Sequence, residues 1–290
     1  MFLKSLNLVN FRNYSNLELK FDQRPTIFIG NNAAGKSNIL EAVYLLSTTK
    51  SQRVSEEDEL IKEGSEFAKV EAFVGDGGTE LLIVLNRISQ EVSFKKKMVV
   101  NGIVRRSIDF IGNLPAVIFY PSDINMVTGS PSLRRWHLDM GLAQVDSNYK
   151  KALTQYEQFL TSRNRVLKAI REGKAKADEL TYWTDGLVEK GKVVSGKRQG
   201  FFDFINKLDK PLGEFRFEYI MSEISKEKLL ETSGREVAAA QTLIGPHRDD
   251  FVIVLDGRNM AHFGSRGEQR TATLAFKLAQ LEYMAKIVGQ

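Results

Sequence analysis

The sequence predicts an α/β fold in which a mixed sheet, part of it antiparallel, is interrupted by a basic helical lobe. Three observations carry this. An apolar run, a glycine-containing loop and an amphipathic segment follow one another between Pro25 and Leu46. Strand-like alternation dominates the first 120 residues, and after Pro121 the apolar period lengthens from two to between three and four. At 290 residues the chain can bury a large core and hold one big domain or two.

The elements follow in order. Leu17, Leu19 and Phe21 alternate with Glu18 and Lys20 as a half-buried strand does. Residues 25–29 form a short apolar run expected to be a buried strand, and Ile39, Leu40, Val43 and Leu46 recur at helical spacing after Lys36. Residues 67–74 and 81–88, ending at Ile88, read as strands, and 99–104 as a hairpin because Asn101-Gly102 suits a tight turn between antiparallel strands. Residues 115–120 read as a further strand. Leu153, Tyr156, Leu160, Leu167 and Ile170 then make one helical stripe. Gly191 and Gly196 weaken any helix over 186–200, and Phe215, Phe217 and Tyr219 return to strand alternation. A last helix follows Ser265, with Leu274, Leu278 and Leu281 on one face. The expected organisation is a head from residues 1–120 and 214–290 with a helical lobe, 121–213, inserted in it. No repeat or low-complexity tract interrupts this.

Composition narrows the chemistry. There is no cysteine, which excludes disulfides, thiolate nucleophiles and Cys-ligated zinc, and suits a reducing compartment. No apolar run approaches the ~20 residues that span a bilayer, and residues 1–9 lack the parts of a signal peptide; a cytoplasmic protein without membrane partners is expected. His137, His247 and His262 fall in no metal-ligand spacing and read as structural or hydrogen-bonding residues.

The strongest motif is Gly30-Asn31-Asn32-Ala33-Ala34-Gly35-Lys36-Ser37, a complete G-x-x-x-x-G-K-[ST] phosphate-binding loop, with Asn38 following in the helix. Gly30 and Gly35 let the backbone curl so that N–H groups and the helix N-terminus hold phosphate oxygens. Lys36 supplies a point charge to the β- and γ-phosphates, and Ser37 a hydroxyl to Mg²⁺. Ala33-Ala34 adds nothing polar but keeps the loop small. ATP with Mg²⁺ is the implied ligand. An ordinary glycine-containing turn before a helix is the structural alternative.

The net charge of +5 has a location. Residues 121–213 hold 16 Lys+Arg against 11 Asp+Glu, so the whole excess lies in the middle of the chain. Much of it falls between Lys150 and Lys176, a segment that includes Lys151, Arg163, Arg165 and Lys168. Such a surface attracts phosphate backbones through counterion release, although a solvated helix face explains the same run. Near the C-terminus, Ser265-Arg266-Gly267-Glu268-Gln269 opens a helix and is a plausible second phosphate-contacting loop. A capping box formed by Ser265 and Glu268 accounts for those residues equally well.

Taken together, Asn10-Phe11-Arg12-Asn13-Tyr14, the phosphate loop, Tyr120-Pro121-Ser122-Asp123, Gly129-Ser130-Pro131-Ser132-Leu133-Arg134-Arg135, Gly245-Pro246-His247-Arg248-Asp249-Asp250 and the Ser265 cluster resemble, in order along the chain, the RecF family of bacterial recombination and repair proteins. The resemblance implies an ABC-type P-loop ATPase head with an inserted helical arm, related to SMC heads. It implies ATP held between two subunits, with Lys36 and Ser37 of one and the Ser265, Arg266, Gly267, Glu268, Gln269 signature of the other on the phosphates. Arg12 and Asn13 match an early motif that lies beside the nucleotide in related heads. RecF-like proteins bind double-stranded and gapped DNA when ATP-bound, act near single-strand/double-strand junctions, and work with RecO and RecR to help RecA load, in recombinational repair, replication and the SOS response. Arg134, Arg135, Lys150, Lys151, Arg163, Arg165 and Lys168 are the candidates for DNA phosphate contacts.

A Walker B strand, an apolar run ending in Asp after the signature helix, is expected in such ATPases and does not follow it here. Residues 251–256 imitate the pattern but precede the signature and run into Gly257-Arg258-Asn259, so Asp256 reads as a turn residue. A C-terminally truncated chain is expected on that ground, with ATP binding better supported than hydrolysis. Alternatives are a nucleotide-gated DNA-binding module without turnover, and an SMC-type chromosome-associated ATPase. The second is disfavoured because no sustained heptads occur between the two head segments.

Overall fold

The computed structural model describes residues 2–54, 56–75, 77–87 and 95–289, divided into two compact units, Met1–Ile118 and Phe119–Gly289. Met1 and Ile88, named above, lie outside the described residues, as does Gln290.

The first unit contains β1 (Leu3–Phe11), β2 (Tyr14–Lys20), α1 (Lys36–Thr48), β3 (Phe67–Val74), β4 (Thr79–Asn86), β5 (Lys96–Val100), β6 (Ile103–Arg105) and a one-turn α2 (Ser107–Phe110). The strands make an antiparallel sheet in the order β2-β1-β3-β4-β5-β6. Its register sets Leu6 beside Ala72, Leu8 beside Val70 and Val70 beside Ile83. All five are fully buried, in one cluster with Ile39 and Leu45 of α1; each such Leu, Ile or Val contributes about 1.5–3 kcal/mol. The expected hairpin is β5–β6, its turn made by Asn101 (φ 49°) and Gly102 (φ 76°), the two left-handed residues of a type I′ turn.

Two expectations fail here. Residues 25–29 and 115–120 belong to no strand, and among the described residues no strand pairs with either. Ile27 and Ile29 are 81% and 92% exposed rather than buried, while Phe28 turns in against Phe21. An apolar run becomes a strand only where another backbone receives its hydrogen bonds.

The second unit holds a one-turn α3 (Asn125–Thr128), α4 (Pro131–Val145), α5 (Ser147–Arg171), α6 (Thr181–Ile205), β7 (Arg216–Ile220), α7 (Lys226–Ala239), β8 (Asp250–Leu255), β9 (Arg258–Asn259), a one-turn α8 (Met260–Phe263) and α9 (Arg266–Val288). The three strands form an antiparallel sheet, β7-β8-β9. One core joins Tyr149 and Tyr156 of α5, Phe201 and Phe202 of α6, Phe251 of β8 and Phe276 of α9; the Phe251 and Phe276 rings stack at 5.0 Å. Packing therefore makes no cut at 213/214, because the helices of 121–213 bury their apolar stripe against 214–289.

Other boundaries moved for physical reasons. α6 runs unbroken through Gly186 and Gly191 because close packing uses their missing side chains. A Cβ at Gly186 would meet the Phe159 ring at 2.3 Å, and one at Gly191 would meet Ile224 at 3.0 Å. In α9 the buried side is Ala272, Thr273, Phe276, Lys277 and Gln280, while Leu278 and Leu281 face outward. Asp256 is a turn residue, left-handed at φ 50° ahead of Gly257 at 73°. Among the described residues no helix is long and apolar enough to cross a membrane.

Candidate functional site

The phosphate loop lies in the first unit and delivers its last residues into α1. Gly35 is the N-cap of that helix at φ 99°, and a Cβ there would sit 2.6 Å from the Asn13 amide and the Tyr14 hydroxyl. Both backbone and space therefore require glycine. Ala33 is also left-handed, at φ 63°, which costs an alanine about 1 kcal/mol. Left-handed residues of this kind are what backbone anion nests are built from. Lys36 Nζ donates to the carbonyls of Gly30 (2.8 Å) and Asn31 (2.7 Å), which ties the loop's two ends together and leaves a third N–H for a ligand oxygen. Ser37 is exposed on the first turn of α1. These features fit a triphosphate with Mg²⁺: a nest, a cation with a spare donor, and an exposed hydroxyl with no partner among the described residues.

Behind the loop is a polar relay. Asn13 Nδ2 and Tyr14 Oη both donate to the carbonyl of Ala34 at 3.4 Å, Asn38 Nδ2 donates to Asn13 Oδ1 at 2.9 Å, and Arg53 Nη1 donates to Asn38 Oδ1 at 2.9 Å. At its base the carboxylate of Glu41, 1% exposed, accepts Arg12 twice, at 2.8 and 2.9 Å, Arg53 at 3.0 Å, and Ser51. Arg12 also donates to the Glu59 carbonyl at 3.0 Å. Asn13 thus touches the loop, whereas Arg12 stands one step behind it with its guanidinium occupied. Two guanidinium charges against one carboxylate leave a positive surplus beside Lys36, suited to an anion. Sequence reasoning missed Glu41, Ser51 and Arg53. A lone Glu on the apolar face of α1, beside Ile39 and Ala42, was the available signal.

In the second unit the motifs at 129–135 and 245–250 hold each other. Arg134 grips Asp250 with two bonds, at 2.5 and 2.8 Å, and donates to the Gly129 carbonyl at 2.7 Å. Arg135 donates to the Asp249 carbonyl at 2.7 Å. Arg198, 1% exposed, bridges Asp139 and Asp249 at 2.8 Å each. His247 donates through Nε2 to the Thr242 carbonyl at 3.0 Å and accepts the Tyr156 hydroxyl at Nδ1, 2.6 Å away, which requires the neutral ring; burial lowers its pKa from 6.5 to about 4. His137, buried and next to the Lys277 ammonium at 3.1 Å, falls to about 3. His262 is exposed.

The expected DNA contacts divide accordingly. Arg163 is 2% exposed, paired with Glu236 at 2.7 Å and bonded to Thr242 at 2.8 Å, so it is an internal ion pair and not a phosphate contact. Arg134 is likewise occupied within the unit, which corrects the reading of these two, whereas Arg135 is half-buried and spends one donor on the Asp249 carbonyl. Lys150 is half-buried. Lys151, Arg165 and Lys168 are exposed on α5 and have no ion-pair partner among the described residues.

The Ser265 cluster opens α9. Ser265 Oγ accepts the Glu268 N–H at 3.3 Å, and Glu268 Oε2 accepts the Ser265 N–H at 2.7 Å, a complete capping box. The Ser265 side chain and its backbone N–H both bond the Glu268 carboxylate and hold its pKa below the ordinary value. Arg266 and Gly267 are exposed beside it, while Gln269 turns inward and donates to the Met260 carbonyl at 3.0 Å.

Comparison with known proteins places the chain among these features. Residues 1–74 match the AAA ATPase domain family. The DNA replication and repair protein RecF of Oceanobacillus iheyensis is 32% identical over 313 aligned positions, covering 100% of this chain and 84% of the relative. RecF of Bacillus cytotoxicus is 35% identical, covering 97% and 80%. The solved structure of the recombination mediator protein RecF with ATP, from the RecFOR pathway, superposes with a TM-score of 0.88 at 30% identity, covering 99% of this chain and 82% of that one. The RecF-ATPrS structure gives 0.87, with 100% and 83% covered.

Proposed function

The chain belongs to the RecF family of DNA replication and repair proteins, and we propose that it is an ATP-gated DNA-binding protein of recombinational repair. The observation that carries this is the phosphate loop, with Gly35 closed against Asn13 and Tyr14, and Lys36 poised across its mouth. The solved structure of a RecF relative with ATP supports the ligand.

In this reading the loop N–H groups and Lys36 bind the phosphates. Mg²⁺, held in part by the Ser37 hydroxyl, neutralises phosphate charge when bound. The Glu41 relay keeps the loop closed and its surroundings positive. Ser265, Arg266 and Gly267 of a second copy complete the site, so the nucleotide holds a homodimer together. Residues 1–120 and 214–290 supply the nucleotide-contacting parts, and 121–213 the basic helices. Lys151, Arg165 and Lys168, doubled by dimerisation, bind the duplex backbone at gaps and junctions, where RecO, RecR and through them RecA are the partners. Turnover is not needed for such a gate, so a binding module without useful hydrolysis works by the same contacts.

Lys36→Ala tests the premise. It removes a charged donor and should weaken Mg²⁺–ATP binding about 10- to 100-fold in a fluorescent-nucleotide titration. Unchanged affinity would refute the assignment of this loop.

A further inference from the structure

The hairpin of α5 and α6 carries an aromatic side chain that the fold leaves largely in water. Tyr182, the second residue of α6, is 69% exposed, and its hydroxyl has no partner among the described residues. The ring is nonetheless held: Trp183 meets it edge to face at 5.0 Å and Phe159 of α5 at 6.1 Å. Phe159 is itself fixed by the absent side chain of Gly186. Edge-to-face contacts of this kind set a ring's orientation without burying it.

Beyond these two rings, the hairpin that carries Tyr182 is rich in exposed charge. On the same hairpin Arg165, Lys168 and Arg171 are exposed with no ion-pair partner among the described residues. The connection between the helices presents Glu172, Lys174, Lys176, Asp178 and Glu179 to solvent. A protein-docking patch would need a wider exposed apolar centre than Tyr182 with its half-buried neighbours Phe159 and Trp183. A preset aromatic ring on an element with free cations is instead the composition that binds unpaired nucleic acid, where cations follow the backbone and rings stack on bases. In a continuous duplex the bases are already stacked, so only the cations have work to do there.

We propose that Tyr182 is a stacking platform for an unpaired base, so that the α5–α6 hairpin reads single-stranded DNA beside the duplex its cations hold. This rests on the DNA-binding reading above and adds to it the residue that distinguishes a gap from an intact duplex. Stacking of one base predicts about a tenfold preference for gapped DNA.

The test compares two DNAs of equal length at fixed salt with Mg²⁺–ATP. One is a continuous duplex; the other carries a short gap with 2-aminopurine in the unpaired stretch. Wild-type protein should favour the gapped DNA and quench the probe. Tyr182→Ala should lose that preference and the quenching while binding the duplex as before, and Tyr182→Phe should keep both. Arg165→Ala with Lys168→Ala should weaken both DNAs equally. If Tyr182→Ala matches wild type on gapped DNA with the quenching intact, the stacking role is overturned and the DNA-binding reading stands. If wild type binds neither DNA, both fall. A change confined to the oligomeric state would make the ring a protein contact and overturn the proposal as well.

Discussion

His137 and His247 are kept neutral inside the second unit, the first by burial and the Lys277 ammonium, the second chiefly by burial. Their folded values, about 3 and about 4, lie below the ordinary 6.5, so the unfolded chain binds more protons as the pH falls. The stability they allow is complete above about pH 6.5 and is lost progressively as the pH drops toward 4. Thermal unfolding should therefore move to lower temperature between pH 7 and 4.5, and His137→Gln with His247→Gln should flatten that slope. A midpoint that rises over this window would contradict the assignment. At this scale the sequence told unevenly. The loop from Gly30 to Ser37 was legible because its chemistry is contained in eight consecutive residues. Arg134 and Arg163 were misread because their partners, Asp250 and Glu236, lie 116 and 73 residues away.

On α5, residues two apart do opposite jobs. Arg163 points into the unit against Glu236 and Thr242, whereas Arg165 points out. Arg163→Ala leaves a buried carboxylate uncompensated and should destabilise the protein by about 3–5 kcal/mol in denaturant unfolding. Arg165→Ala and Lys168→Ala should change stability by less than about 0.5 kcal/mol, weaken DNA binding, and each reduce the salt dependence of binding by about one phosphate contact. Equal effects from both kinds of variant would mean that the inward and outward faces have been confused. Helical stripes such as Tyr156 and Leu167 could be found from sequence because their period is local. The strands expected at 25–29 and 115–120 could not be settled that way, since strand formation depends on a second backbone. The unbroken α6 was hidden by its glycines, two of which make room for distant side chains, Gly186 for Phe159 and Gly191 for Ile224.

For the molecule as a whole, family membership and the RecF-like fold were legible because six short motifs recur in order over the full chain, while the division into Met1–Ile118 and Phe119–Gly289 was not. The boundary at 213/214 followed a change in local pattern, but the core that crosses it is built from long-range contacts among Tyr149, Phe202, Phe251 and Phe276. In the proposed function ATP joins two copies through the loop of one and the Ser265 cluster of the other. Gly267 isolates that claim, because a Cβ there meets nothing nearer than Ser265 Oγ at 4.0 Å and alanine favours the helix. Native mass at several protein concentrations, with Mg²⁺–ATP and with ADP, measures it directly. A dimer with ATP, a monomer with ADP, and a Gly267→Ala variant that binds ATP yet stays monomeric are the expected results. A wild-type protein that binds ATP and shows the same mass in both nucleotides would contradict that claim.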